Sequence, residues 1–177
     1  DMVDKIQQLL EAKVSEQKRL RKAELNILQE QIKPHFLYNS LGAISYLVTS
    51  QQNEKAYGLI ISLSEYYRES LSKGNKIIPL STEIHIVKNY LKLQKVRFPD
   101  IFHDEYELQE DVLACQIPRL ILQPLVENSL YHGIIPTCDY GIIKISAYTE
   151  KDHLILRISD NGVGMSEAEL ENIWNAG

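Results

Sequence analysis

The sequence predicts an α+β fold: a helical hairpin that pairs with a second copy into a four-helix bundle, followed by an α/β unit from about residue 80. Three observations carry this. From Asp1 to Ile32 there is neither glycine nor proline, so the chain opens as helix. Leu37, Leu41, Ile44 and Val48 step by four, three and four, the spacing of one helix face. After "RFPD" the apolar period changes to alternation, with Phe102, Asp104, Tyr106 and Leu108 on one strand face.

In the opening helix Val3, Ile6, Leu10, Leu20 and Ile27 fall on a and d positions of a heptad, interrupted by Lys13, Gln17 and Glu24. This reads as a weak coiled-coil seam or the end of a signalling helix, and its uncapped start predicts a chain cut from something longer. Pro34 then sits inside helical sequence, where a lost hydrogen bond costs roughly 3 kcal/mol, so a bend or loosening is expected one residue before His35. At about 100° per residue the Leu37/Leu41/Ile44/Val48 stripe lies roughly 180 to 240° around the helix from His35. His35 is therefore expected to face away from the hairpin core, with Asn39 and Gly42 beside it.

"TSQQN" is the hairpin turn, and Asn53 is the expected cap of a second helix with Ala56, Leu59, Ile60, Leu63 and Tyr67 on its apolar face and Gly74 as its stop. A lone hairpin buries too little surface to be stable, which is why two are expected to pair. Residues 1–74 thus form the signalling helix and hairpin, 75–80 within "KGNKIIPLS" a linker, and 81–177 a second domain. There Ser81 is the expected cap of a helix carrying Ile84, Val87, Leu91 and Phe98. Pro118 is expected to open the apolar helix "PRLILQPLVENSLYHG" at its first turn, where its missing N–H costs nothing. "GIIKISAYTE" and "HLILRISD" read as two strands around the charged turn at Lys151 and Asp152.

Composition limits the function classes. With 177 residues, 44% hydrophobic and 24% charged, the chain is of ordinary globular character. A net charge of −5, with Lys and Arg spread along the chain, gives no basic footprint, so direct nucleic-acid binding is not expected. No apolar run approaches the roughly 18 residues of a membrane span. Cys115 and Cys138 have no metal-ligand spacing and read as two reduced thiols.

Three stretches can carry chemistry. "SDNGVGM" ends a strand in Asp160 and follows it with Gly162 and Gly164: a fixed carboxylate able to accept from an exocyclic amine such as adenine's, beside backbone that a ligand can approach closely. Asp-Asn-Gly is also an ordinary turn, which is the plainer reading of that stretch alone. "QPLVENSLYHG" places Glu127 and Asn128 in an apolar helix, with His132 one turn later; Asn and Glu oxygens suit Mg²⁺, and His132 at i+4 from Asn128 is placed to contact a phosphate. A polar surface stripe is the alternative there. "KPHFLYNS" offers His35, exposed on the wheel and linked to a second domain, as a histidine able to accept a phosphoryl group.

Together and in this order the segments resemble a sensor histidine kinase of the LytS/YesM type. "LQEQIKPHFLYNSLGAI" is similar to that family's phosphoacceptor box, "LSTEIHIVKNYLKLQKVRF" to its following helix, "IPRLILQPLVENSLYHG" to its asparagine box, and "ISDNGVGM" to its first glycine box. The resemblance spans about residues 25 to 166. It implies a dimeric helical hairpin and a two-layer α/β sandwich that binds ATP, shared with gyrase and Hsp90, with a mixed, mostly antiparallel sheet. It further implies His35 as phosphoacceptor, Asn128 as Mg²⁺ ligand, Asp160 as adenine reader, and Gly162 and Gly164 as the start of the nucleotide lid. ATP and Mg²⁺ are the implied cofactors. The implied partner is a response regulator, typically a transcription factor, whose aspartate receives the phosphoryl group, and the implied setting is the cytoplasmic portion of a cell-membrane sensor.

Some positions depart from the commoner pattern. Phe36 follows the acceptor where other histidine kinases have an acidic residue, which leaves the base unassigned: Glu127 is a candidate, and Asn39 a candidate for orienting the ring or for dephosphorylation. Tyr131 stands where many asparagine boxes have a lysine, removing a positive charge from the phosphate site. The chain stops at "ENIWNAG", where the lid should be starting and before a second glycine box, so weak autophosphorylation is expected of this polypeptide alone. The competing readings are a non-catalytic dimerisation and signalling module that keeps the ATP-binding fold, and a gyrase-like ATPase with no use for His35.

Overall fold

The computed structural model describes Lys13, Glu16 and Gln17 and residues 33–71, 76–137, 139–166 and 169–171. The apolar heptad positions Val3, Ile6, Leu10, Leu20 and Ile27 and the stop at Gly74 lie outside the described residues. The chain divides into two compact units, Asp1–Asn39 and Ser40–Gly177.

Helix α1, Pro34–Thr49, begins in the first unit. Pro34 does not interrupt a helix, as expected from the sequence, but opens one. Lys33 at φ +45° leaves right-handed helical space, and the N–H groups of Phe36 and Leu37 return to the Lys33 carbonyl at 2.9 and 3.2 Å. At the first helical position a proline forfeits no hydrogen bond, and it disfavours helical backbone in the residue before it.

Helix α1 ends in a turn at Gln51, φ +58°, and α2 covers Asn53–Ser70. Asn53 is therefore the first helical residue and not the cap, which is Gln52 and makes no side-chain capping bond. The expected apolar stripes are also rotated. On α1 the buried residues are Phe36, Ser40 and Leu47, whereas Leu41 and Val48 are 49% and 51% exposed. On α2 the buried face is Ala56, Leu59, Ser62, Leu63, Tyr66 and Ser70, leaving Ile60 at the surface and Tyr67 half-buried. The reason is the packing partner: α2 lies along α3, Leu80–Arg97.

Helix α3 is the centre of the second unit. Ten of its residues are buried, including Leu80, Ile86, Val87 and Leu91 on different sides, because α2 covers one flank and strand β2, Phe102–Leu108, another. Ser81 does not cap it. The cap position is Pro79, and the free N–H groups of Leu80 and Ser81 donate to the carbonyls of Cys115 and Leu113 at 2.8 and 3.0 Å. Tertiary backbone thus replaces the side-chain cap. Phe98 lies just past the helix, as its C-cap.

Within the stretch read as a linker, β1, Ile77–Pro79, pairs antiparallel with β3, Gln116–Pro118. Pro118 therefore ends a strand instead of opening a helix, and α4 begins later, covering Leu122–Asn128. Leu120 at φ +57° makes the turn between them. Fully buried Glu83 of α3 holds that turn, its Oε2 accepting from Leu120 N at 2.9 Å and its Oε1 from Leu122 N at 3.0 Å. After Asn128 the helix widens into a π turn, Ser129–Ile134, and tightens into a 3₁₀ turn, Ile135–Thr137.

This segment is the crossover that a parallel pair requires. Strand β2 runs parallel to β4, Gly141–Glu150, which pairs antiparallel with β5, His153–Asp160, so the sheet order is β2-β4-β5. Lys151 and Asp152, both at positive φ, close the β4–β5 hairpin. On β4, Ile143, Ile145 and Ala147 form the buried face. Helix α3 covers β2, α4 covers β5 and the π turn covers both β4 and β5. The outcome is a helical region followed by a mixed α/β sheet domain, the expected fold class.

Two outcomes test these contacts. Glu83→Ala leaves two backbone N–H groups at the entrance to α4 without acceptors, and chemical denaturation should show a loss of about 2–4 kcal/mol. Asp104, on β2, is mostly buried, which disfavours its charge, but the Lys95 ammonium outweighs burial and holds the carboxyl below its ordinary range. A carboxylate with a depressed folded pKa stabilises above its unfolded value of about 3.9, and the contribution disappears as pH falls through the folded pKa. Asp104→Asn should lower stability by about 1 kcal/mol at pH 7 and by progressively less in a denaturation series below pH 4.

Candidate functional site

His35 is the second residue of α1 and its side chain is exposed. One helical turn on, Asn39 brings its amide Nδ2 to 3.2 Å from both Nδ1 and Nε2 of the ring. A neutral imidazole has one acceptor nitrogen, so this amide can donate to whichever nitrogen lacks the proton. The pair restrains ring rotation through a local i, i+4 contact that the helix alone provides.

The second unit brings together the other stretches singled out in the sequence. Asp160 ends β5, and its Oδ1 accepts from Gly162 N at 3.0 Å. Asp160 also lies against Gly133 in the π turn: a Cβ added to Gly133 would stand 2.8 Å from Asp160 Oδ1, and one added to Gly162 would stand 2.2 Å from the Gly133 carbonyl carbon. Val163 N donates to Gly133 O at 3.0 Å. The two segments thus interlock through glycines because only a residue without a side chain permits this approach. Asn161 anchors the strand end, its Oδ1 accepting from Ile142 N at 2.7 Å and its Nδ2 donating to Tyr140 O at 3.3 Å. Gly164 adopts φ +71°, left-handed backbone that glycine takes without strain.

Asn128 closes α4 and His132 lies in the π turn that follows; both are exposed, and neither makes a side-chain hydrogen bond among the described residues. Short π segments inside helices recur at functional sites because they re-aim side chains beyond the insertion. The Asn128 oxygen suits Mg²⁺, which keeps several waters and takes its remaining ligands from phosphates. No cluster of three His, Cys, Asp or Glu residues that could hold a metal ion occurs among the described residues. Glu127 is half-buried and accepts from Gln123 Nε2 at 2.7 Å through its Oε1.

Tyr131 turns toward α3. Its hydroxyl accepts from Gln94 Nε2 at 3.0 Å and Arg97 Nη1 at 3.1 Å, and its ring meets Phe98 edge-on. The guanidinium of Arg97 is thereby held beside the residue that precedes His132. Gly133 and Gln123 were not singled out from the sequence. The available signals were a glycine directly after the His132 position and a glutamine inside the apolar run "LILQPLV".

Residues 23–102 match the family described as Histidine kinase, and residues 116–176 the family described as Histidine kinase-, DNA gyrase B-, and HSP90-like ATPase. Sensor histidine kinase YesM of Bacillus subtilis is 33% identical over 176 residues, covering 99% of this chain and 30% of the relative. Sensor protein LytS of Staphylococcus haemolyticus is 36% identical over 154 residues, covering 86% of this chain and 26% of the relative. Sensor histidine kinase BtsS of Escherichia coli is 34% identical over 155 residues, covering 87% and 28%. The chain therefore spans less than a third of the length of these relatives. No helix among the described residues is long and apolar enough to cross a membrane. With its histidine kinase region preceding its ATPase region, and the Asp160 strand end locked to the end of the Asn128 helix, the chain belongs to the sensor histidine kinase family.

Proposed function

We propose that the chain is the kinase core of a two-component sensor, which phosphorylates itself on His35 from ATP and passes the phosphoryl group to an aspartate of a response regulator, a transcription factor. The observation that carries the reading is the interlock of Gly133 with Asp160 and Gly162, which supports a single nucleotide surface built from two separate sequence segments. In this reading Asp160 accepts from the adenine amine, and its Oδ2 is the oxygen left for the ligand. Asn128 ligates Mg²⁺, His132 contacts a phosphate, and Gly162 and Gly164 begin the lid.

Phosphoryl transfer asks the protein mainly to position groups and neutralise charge. The unprotonated nitrogen of His35 attacks the γ-phosphorus in line, the bond to the bridging oxygen breaks, and ADP leaves. With its amide turned over, Asn39 accepts the ring N–H through its oxygen and leaves the opposite nitrogen free to attack. Glu127 is the candidate base. Mg²⁺ held at Asn128 would supply charge neutralisation to the phosphates.

The acceptor would work in a homodimer. Leu41, Val48, Ile60 and Ile61, exposed on α1 and α2 of one chain, are the apolar surface that a second copy would cover. A sensor of this kind is held at the cell membrane by segments outside this sequence, with this part in the cytoplasm. Tyr131, in a lysine's place, favours the alternative of a non-catalytic module, and Arg97 at its hydroxyl is the charge that answers it.

In the full-length protein, labelled ATP should give an acid-labile phosphoryl adduct that His35→Gln reduces to background. Labelling of the variant at the parental level would remove His35 as acceptor, and no labelling of the parent would favour the non-catalytic module. Gly133→Ala, which pushes the Asp160 carboxylate aside, and Asp160→Asn should each weaken binding of a fluorescent adenine nucleotide by about tenfold or more.

A further inference from the structure

The asparagine-box helix is tied to α2 by a buried polar chain. Gln123, 4% exposed, uses both amide hydrogens: its Nε2 donates to Tyr66 Oη of α2 at 2.7 Å and to Glu127 Oε1 at 2.7 Å. Tyr66 is 1% exposed and packs against Tyr90 of α3 with ring centroids 6.1 Å apart. Burial raises the Tyr66 hydroxyl well above the ordinary phenol range, so the ring remains neutral and its oxygen is available as an acceptor.

Three features set this chain apart from routine core satisfaction. The Gln123 carbonyl oxygen is buried with no partner among the described residues, a cost usually tolerated only where the geometry serves another purpose. An amide is the one neutral group that can give two hydrogens from a single nitrogen to acceptors on two different helices. And the second acceptor, Glu127, directly precedes Asn128 in the chain, so the tie ends one peptide from the residue assigned to Mg²⁺.

We propose that Gln123 is a positioning residue for the asparagine box, joining Glu127 to Tyr66 so that the placement of α2 and the presentation of Asn128 are coupled. This rests on the reading of Asn128 as a nucleotide-site residue. A shift of α2 relative to α4 stretches the short Tyr66–Gln123 hydrogen bond in a low-dielectric interior, where replacement by water is not at hand, and through the Gln123–Glu127 bond within α4 the strain reaches the Asn128 end of that helix. Coupling of this kind is reciprocal: whatever α2 does to Mg-ATP binding, Mg-ATP binding does to α2.

The test uses the full-length protein. Tyr66→Phe deletes the acceptor oxygen and keeps the ring, and Gln123→Leu deletes the bridge. Both should weaken Mg-ATP binding in a fluorescent-nucleotide titration by about threefold to tenfold, since each removes the Tyr66–Gln123 hydrogen bond. In the parent, Mg-ATP should slow backbone amide exchange across the Tyr66 end of α2, and in Tyr66→Phe that protection should vanish although near-ultraviolet circular dichroism shows intact packing. A merely structural role would change overall stability without removing the ligand-dependent protection. The proposal is overturned if Tyr66→Phe keeps both parental affinity and parental protection, or if the parent shows no protection. Asn128→Ala separates the two readings. If it binds Mg-ATP like the parent, the assignment of Asn128 fails, and the tie is still decided by whether Tyr66→Phe removes the protection. If Gln123→Leu does not fold, Tyr66→Phe alone decides.

Discussion

A carboxylate taken wholly out of water is tolerable only when its oxygens are engaged, and Glu83 meets that condition with two backbone N–H groups, of Leu120 and Leu122, at 2.9 and 3.0 Å. Those N–H groups belong to the turn that leads from β3 into α4. Glu83 itself is fixed in α3, which α2 flanks and whose underside rests on the sheet. The direction of α4 follows from this arrangement, and with it the place of Asn128 at its end, the π turn beyond, and the position of Gly133 against Asp160. The helix end meets the strand end after one buried acid has oriented the turn that leads into the helix.

The same helix explains a feature of the surface chemistry. Tyr131 faces α3 and its hydroxyl is taken up by Gln94 and Arg97, so a position that a lysine often occupies serves here as a hydrogen-bond acceptor for a neighbouring cation. The charge comes from α3 and not from the asparagine-box helix. Arg97 also lies over the Phe98 ring at 4.8 Å, which restricts the guanidinium further.

How much was legible in the sequence depended on whether a pattern is local. The strands β4 and β5 and their two-residue turn were readable because alternation and turn chemistry act between adjacent residues. The cap at Ser81 was misread because carbonyls of Leu113 and Cys115, over thirty residues on, satisfy the same N–H groups. Pro118 was misread as a helix start because strand β3 pairs with β1, an interaction with no local signature. The stripes on α1 and α2 were read against each other, whereas α2 packs on α3. Of the candidate site residues, Asp160, Gly162 and Asn128 were singled out through their unusual company in the chain. Gly133 and Gln123 were not, because their roles consist of what lies across from them.

Taken alone, the sequence determined the order of elements, a helical region and then a mixed sheet domain, and the residue types able to handle a phosphoryl group, since composition, period and spacing are properties of the chain. Tertiary structure alone decided which helix faces are buried, that Pro34 starts a helix after a left-handed Lys33, and that Gly133 meets Asp160. Those outcomes turn on contacts between residues far apart in the chain, where the choice among faces is made by the free energy of burial against a particular partner and not by any preference of the residues themselves.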